Sequence, residues 1–181
     1  MPQNYIQTAF DYIKHIKVTG AISESSRFVE EEICAYIRPE EAQMIVEFGA
    51  GFGNITQEIL KRMHPDSKLF SFEIKPEFLE ALKLKITDKR VTFISASASD
   101  VGKYIEGVPI DAIVSSIPIT IIPKEVVTEI LDQSQKILKP NGTYSQLIYT
   151  PQPQKFKKQF AKTNIKIALN FPIAFIHHAY K

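Results

Sequence analysis

The segment that most constrains this chain is Glu47-Phe48-Gly49-Ala50-Gly51-Phe52-Gly53. It follows the apolar run Ile45–Phe48 and precedes Asn54–Met63, where Ile55, Ile59 and Leu60 fall on one helical face. Three glycines at alternate positions between a buried strand and a helix permit a sharp turn, with backbone N–H groups free to approach a ligand closely. The positive end of the next helix points at the same place, which suits a carboxylate or a phosphate. The spacing is G-x-G-x-G, not the G-x-G-x-x-G of dinucleotide sites, and an acid, Glu47, opens the turn.

Beyond this turn, short apolar runs alternate with helical patterns. Lys68–Glu73, Val91–Ser95, Ile110–Ser115, Thr143–Tyr149, Ile165–Leu169 and Ala174–Tyr180 read as strands. Pro76–Ile86 and Pro123–Leu138 read as helices, the second ended by Asn141-Gly142, and Phe156–Lys162 as a short helix. Such alternation predicts an α/β fold: a Rossmann-like, mostly parallel seven-stranded sheet with helices on both faces. Ligands in such sheets sit beyond the carboxyl ends of the strands, where strand order reverses. Ahead of the sheet, Tyr5–Lys17 places Ile6, Ala9, Phe10, Ile13 and Ile16 on one stripe, and Phe28–Ile37 follows Ser25 and Ser26. The chain therefore divides into an N-terminal helical extension, 1–38, and a ligand-binding domain, 39–181.

A length of 181 residues fits one domain. The single cysteine, Cys34, excludes an intrachain disulfide framework and a Cys-based zinc cluster, so no metal site is expected. The start MPQNYIQTAF lacks a basic-then-apolar leader, and no apolar run approaches the roughly 20 residues that span a bilayer. The expectation is a cytoplasmic protein, meeting a membrane only peripherally at its inner surface. Charge is asymmetric: residues 133–181 hold eight lysines and no acid, whereas residues 1–132 hold 14 basic and 20 acidic residues. A one-sided basic tail suits phosphate-bearing partners or a solvated lysine face.

Glu73 ends the second strand, 20 residues after Gly53, where a carboxylate can accept bonds from both hydroxyls of a ribose. Strand, acid, three glycines, helix, strand and acid together resemble the class I S-adenosylmethionine-dependent methyltransferases, whose first motif has the form E/D-x-G-x-G-x-G. That resemblance implies that Gly49, Gly51 and Gly53 line the methionine part of S-adenosylmethionine, that Glu47 sits beneath it and that Glu73 holds the ribose. In many members an Asp near the adenine amine follows the third strand; here the stretch is Ser95-Ala96-Ser97-Ala98, which puts Ser97 in that place with Ala98 beside it. Asp100, three residues on, is an alternative helix cap. Ser115, at the end of the fourth strand, joins the cofactor set; Ser26 either caps its helix or contacts the cofactor.

The fourth strand leads into Ser115-Ser116-Ile117-Pro118-Ile119. Methyltransferases of planar amines carry N/D-P-P-Y/F or N-I/L-P-Y/F there, so Ser116 stands for the amine-binding residue and Ile119 for the stacking ring. Isoleucine offers no platform to a flat base, which argues against nucleic acid. The chain is more similar to bacterial phospholipid N-methyltransferases, through Thr19-Gly20-Ala21-Ile22-Ser23-Glu24-Ser25-Ser26-Arg27, the glycine turn, Val114–Pro118, Gln146-Leu147-Ile148-Tyr149 and Phe171-Pro172-Ile173-Ala174-Phe175. Glu24 stands where that family usually has proline. The resemblance implies methylation of phosphatidylethanolamine at an anionic membrane surface reached through helix 5–17, whose apolar stripe alternatively packs on the domain core. An RNA adenine or small-molecule N-methyltransferase and a non-catalytic cofactor- or membrane-binding module are the competing readings. The rRNA adenine dimethylases are more distant and add a C-terminal helical domain, which is not expected here because Ala174–Tyr180 reads as the closing strand. Ser116 and Tyr149 are the residues expected to meet the acceptor amine. His177 and His178 would point to opposite faces of a strand, as structural histidines, and Cys34 belongs to the core.

Overall fold

The computed structural model describes residues 25–150 and 156–181. The expected helix 5–17 and the stretch 19–24 lie outside them. Helix α1, Arg27–Ile33, precedes β1, Met44–Phe48; α2, Asn54–Arg62; β2, Lys68–Glu73; α3, Pro76–Lys85; and β3, Val91–Ser95. A short 3-10 turn, Ala98–Asp100, leads into α4, Val101–Tyr104, then β4, Ile110–Ser115; α5, Lys124–Ile137; β5, Leu138–Ile148; β6, Lys162–Ala168; and β7, Ala174–Tyr180.

The seven strands form one sheet in the order β3-β2-β1-β4-β5-β7-β6. The first five pair in parallel, and β7 runs antiparallel to both β5 and β6. From β1 the chain builds outward to β2 and β3, then crosses back to place β4 on the other side of β1. Strand order reverses there, directly beneath the glycine turn, where such sheets open a ligand crevice.

Both faces of the sheet are covered, as parallel pairing requires. On one face Val29, Ile33 and Cys34 of the α1 segment and Ile55 and Ile59 of α2 pack against Ile45, Leu69 and Val114. On the other, Val101 of α4 and Val127, Ile130 and Leu131 of α5 meet Val46, Phe48 and Ile113. Each fully buried aliphatic chain contributes about 1.5–3 kcal/mol against exposure, which outweighs the weak helix propensity of the β-branched residues among them.

Two expectations are corrected. Asn141-Gly142 does not end α5, which stops at Ile137 with Leu138 already extended. It lies inside β5, where pairing with β4 jumps from Ile110–Leu138 to Ala112–Thr143 and Asn141 takes a positive φ of 64°. A helix terminator and a strand bulge use the same residues because both need a left-handed backbone. Likewise, Phe156–Lys162 makes one turn, in which Phe160 N–H donates to the Phe156 carbonyl, and Lys162 already opens β6.

Candidate active site

Strand β1 delivers Glu47 into the interior beneath the glycine turn. Its carboxylate accepts from the Thr56 hydroxyl at 2.8 and 3.0 Å and from the Ser71 hydroxyl at 2.6 Å. Burial pushes its pKa up to about 7, against the lowering effect of those two hydroxyls. Glu47 thus ties β1 to β2 and to the first turn of α2 and fixes the floor on which the turn rests. Thr56 and Ser71 escaped the sequence reading; a serine at an interior position of an otherwise apolar strand was the available signal.

The turn itself is shaped by close packing. All three glycines have positive φ. A Cβ on Gly49 would meet Ile117 Cγ2 at 2.9 Å, and one on Gly53 would meet Leu82 Cδ2 at 2.6 Å. Gly51 differs: a Cβ there would meet nothing within 4 Å. Its N–H donates to Glu73 Oε2 at 2.9 Å, while Glu73 Oε1 accepts from the Lys75 N–H at 3.0 Å. The buried Glu73 carboxylate is therefore fixed at both oxygens by backbone donors. Each oxygen keeps further accepting capacity, the requirement for holding vicinal hydroxyls.

Beside the turn lies a cleft lined by Gly49, Glu73, Ser97 and Ala98 together with Ile74 and Ile117. Ile122 and Val126, before and within α5, close its apolar side. Four residues separated by up to 49 positions in sequence thus converge on one crevice at the strand-order reversal. Ser97 caps the 3-10 turn, its hydroxyl accepting from the Ser99 N–H at 3.3 Å and meeting the Ser99 hydroxyl at 2.8 Å. Asp100 makes no side-chain cap; it pairs with Lys103 at 2.6 Å.

The loop after β4 is stapled to the turn. Ser116 Oγ donates to the Gly49 carbonyl at 2.7 Å, and Ser116 N–H to the Phe48 carbonyl at 3.0 Å. Ile119 is buried in the core, so its side chain offers no surface for stacking. Tyr149, half-buried, packs against the core face that includes Leu147. Ser26 caps α1: its hydroxyl accepts from Val29 N–H at 3.4 Å and donates to the Leu169 carbonyl at 2.5 Å.

Register across β4, β5 and β7 aligns Ser115, Gln146 and His177 in one row. Gln146 is anchored, donating from Nε2 to the Ile117 carbonyl at 2.9 Å and accepting from the Tyr144 hydroxyl at 2.8 Å. Ser115 Oγ and both His177 ring nitrogens are buried without hydrogen-bond partners. The His177 ring stacks on Phe156 at 4.9 Å, and burial lowers its pKa to about 4. His178, on the opposite face, is tied to Ser145 Oγ at 2.8 Å and to Glu32 at 3.1 Å. Among the described residues no group of three or more His, Cys, Asp or Glu could hold a metal ion.

A family model described as a methyltransferase domain matches residues 45–142. The Ornithine lipid N-methyltransferase of Singulisphaera acidiphila is 27% identical over 154 residues, spanning 82% of this chain and 80% of its own. Among solved structures, the SAM-dependent O-methyltransferase of Thermotoga maritima superposes with a TM-score of 0.69 at 17% identity, over 96% of this chain and 71% of that one. A Streptococcus mutans protein in complex with SAH gives a TM-score of 0.64 at 14% identity, over 87% of this chain and 100% of its own. At these identities the structural likenesses carry the fold.

Proposed function

The chain belongs to the methyltransferase domain family, and on that premise we propose that it methylates the amine of a membrane lipid head group, with phosphatidylethanolamine as the expected substrate. It is a class I methyltransferase and its cofactor is S-adenosylmethionine. The described residues fit that cofactor: the open space at Gly51 admits a ligand against the backbone, Glu73 presents a fixed carboxylate, and Ile74, Ile122 and Val126 offer apolar walls to a flat purine. When bound, the cofactor supplies a methyl carbon on a sulfonium leaving group.

The chain's own contribution is positioning. Holding the acceptor in line and excluding water can supply roughly 7–11 kcal/mol of the barrier. The Ser116–Gly49 bond locks the loop after β4, the expected acceptor side, to the turn that carries the cofactor. Ser116 and Tyr149 are the residues we assign to the amine, and Ser26 and Ser115 complete the assigned cofactor set. An ammonium head group must lose a proton before its lone pair can attack; an apolar pocket favours the neutral amine.

The observation that carries the lipid assignment is the kinship, over about four-fifths of both chains, with a lipid N-methyltransferase. The buried Ile119 supports it, since a base-methylating site needs an aromatic surface there. Among the described residues no helix is long and apolar enough to cross a membrane, so access to lipid is assigned to the surface. On this reading residues 1–38 form the membrane-facing extension of a catalytic domain spanning 39–181. The test is incubation with methyl-labelled cofactor and, separately, vesicles containing phosphatidylethanolamine, vesicles containing ornithine lipid, and total RNA. Label in a lipid amine is expected; label in RNA alone overturns the reading.

A further inference from the structure

We propose that the tip of the β6–β7 hairpin, Leu169 to Ile173, is a preformed membrane-docking element that enters the head-group layer of an anionic bilayer and brings the cleft mouth to it. The inference rests on the lipid reading above. Because β7 runs antiparallel to both β5 and β6, β6 runs in the same direction as β5. The hairpin tip therefore emerges at the carboxyl edge of the sheet, the edge that carries the glycine turn and the cleft.

This tip is apolar where an ordinary surface hairpin is polar. Ile167 is 69% exposed, Leu169 66%, Phe171 81% and Ile173 54%. Single exposed apolar residues are normal, but four at alternate positions of one hairpin mark an interaction surface. Phe28 of α1, 57% exposed, belongs to the same corner, because Ser26 N–H donates to Asn170 Oδ1 at 3.0 Å and Ser26 Oγ bonds the Leu169 carbonyl. Asn170 Nδ2 in turn donates to the Pro172 carbonyl at 3.1 Å. The tip is thus held in shape by the rest of the molecule, so little ordering is needed on docking.

Charge identifies the occupant. Residues 133–181 contain eight lysines and no acid; Lys166 is exposed on β6 two residues before the strand's tip end at Ala168, and Lys162 is exposed at the other end of the strand, opposite Tyr180. The hairpin itself carries Lys162, Lys166 and Lys181 and no acid, and of the acids on the neighbouring α1, Glu31 is paired with Arg27 and Glu32 with His178. An apolar tip on such a basic hairpin matches an anionic bilayer, whose head groups attract lysines while its acyl boundary accepts Leu and Phe. A second copy fits less well. β6 is the edge strand, and antiparallel pairing of two copies about Asn164 would set Lys162 of each against Lys166 of the other.

The chain contains no tryptophan, so Phe171→Trp installs a single reporter. With vesicles of phosphatidylglycerol and phosphatidylethanolamine its emission should shift to the blue and be quenched by brominated acyl chains. An unchanged spectrum while the protein co-sediments overturns the proposal. The second variant, Leu169→Asp with Phe171→Asp, should keep the melting temperature and the affinity for S-adenosylhomocysteine. Its co-sedimentation with the same vesicles should fall at least tenfold, while methylation of short-chain monomeric lipid persists. Full vesicle binding by this variant, or its unfolding because residues 1–24 or a second copy cover the tip, counts against the docking role. Failure of the lipid reading looks different: the parent protein would label no lipid at all, short-chain or vesicular, whatever the fluorescence reports.

Discussion

The hydroxyl of Ser116 donates to the carbonyl of Gly49 at 2.7 Å, so the loop that ends β4 and the turn that ends β1 move as one piece. A serine at a position assigned to substrate contact thereby also sets the shape of the cofactor turn. Ser116→Ala removes a bond worth about 1 kcal/mol and leaves the Gly49 carbonyl with one partner fewer. The expected result is a roughly fivefold weaker affinity for S-adenosylhomocysteine by calorimetry, a loss of about 1 kcal/mol. A variant with unchanged cofactor affinity and a raised KM for lipid would assign the hydroxyl to the acceptor alone.

Glu73→Ala should act mainly on the cofactor. Its carboxylate accepts from the Gly51 and Lys75 N–H groups, and bonds to a charged acceptor are each worth about 1.5–3 kcal/mol. Losing them loosens the turn and removes the assigned ribose acceptor together. We expect cofactor affinity to fall on the order of 100-fold, about 2.7 kcal/mol, with the far-ultraviolet circular dichroism of the parent. Equal affinity in parent and variant would remove Glu73 from the ribose.

Glu47 and His177 give the protein opposite pH responses. The Glu47 pKa is raised to about 7, so its contribution to stability is complete below the ordinary value of 4.5 and is lost as pH rises through 7. His177 is lowered to about 4; its contribution is complete above 6.5 and is lost as pH falls through 4. Glu47→Gln should therefore gain stability relative to the parent between pH 5 and pH 8, by about 3 kcal/mol at the upper end. His177→Phe should gain relative to the parent between pH 6.5 and pH 4. Thermal unfolding across pH measures both; parallel Tm profiles for parent and variant would show that the residue titrates as it does in the unfolded chain.

Lys68–Glu73, Val91–Ser95, Ile110–Ser115 and Ala174–Tyr180 were readable from the sequence and match the structure residue for residue, because short apolar runs bounded by turn residues mark strands. Only Ile110–Ser115, a parallel strand in the middle of the sheet, is also the near-continuous apolar run that burial on both faces requires. Gly49, Glu73, Ser97 and Ala98 were readable because each sits at a strand end. The row of Ser115, Gln146 and His177 was not, since it exists only through the registers of β4, β5 and β7, and no local pattern encodes a register between strands thirty residues apart. The Asn141 bulge was hidden for another reason: its residues satisfy the rules for a helix end equally well.

The glycine turn offers a test that separates folding from binding. At Gly53 a Cβ would stand 2.6 Å from Leu82 Cδ2 and 3.1 Å from Ile86 Cδ1, in a backbone with φ of 84°. Gly53→Ala thus meets a left-handed penalty of about 1–2 kcal/mol and overpacking of about 1–3 kcal/mol against α3. At Gly51 the φ of 54° is milder for a side chain and the space is empty within 4 Å. Gly51→Ala should lower stability by about 1 kcal/mol only. Its methyl group would project into the open space where the cofactor is expected to lie, so S-adenosylhomocysteine affinity should fall by more than tenfold. Gly53→Ala should show the reverse ranking, with a Tm several degrees lower. If the two variants lose affinity in proportion to their loss of stability, the open face of Gly51 does not meet the ligand.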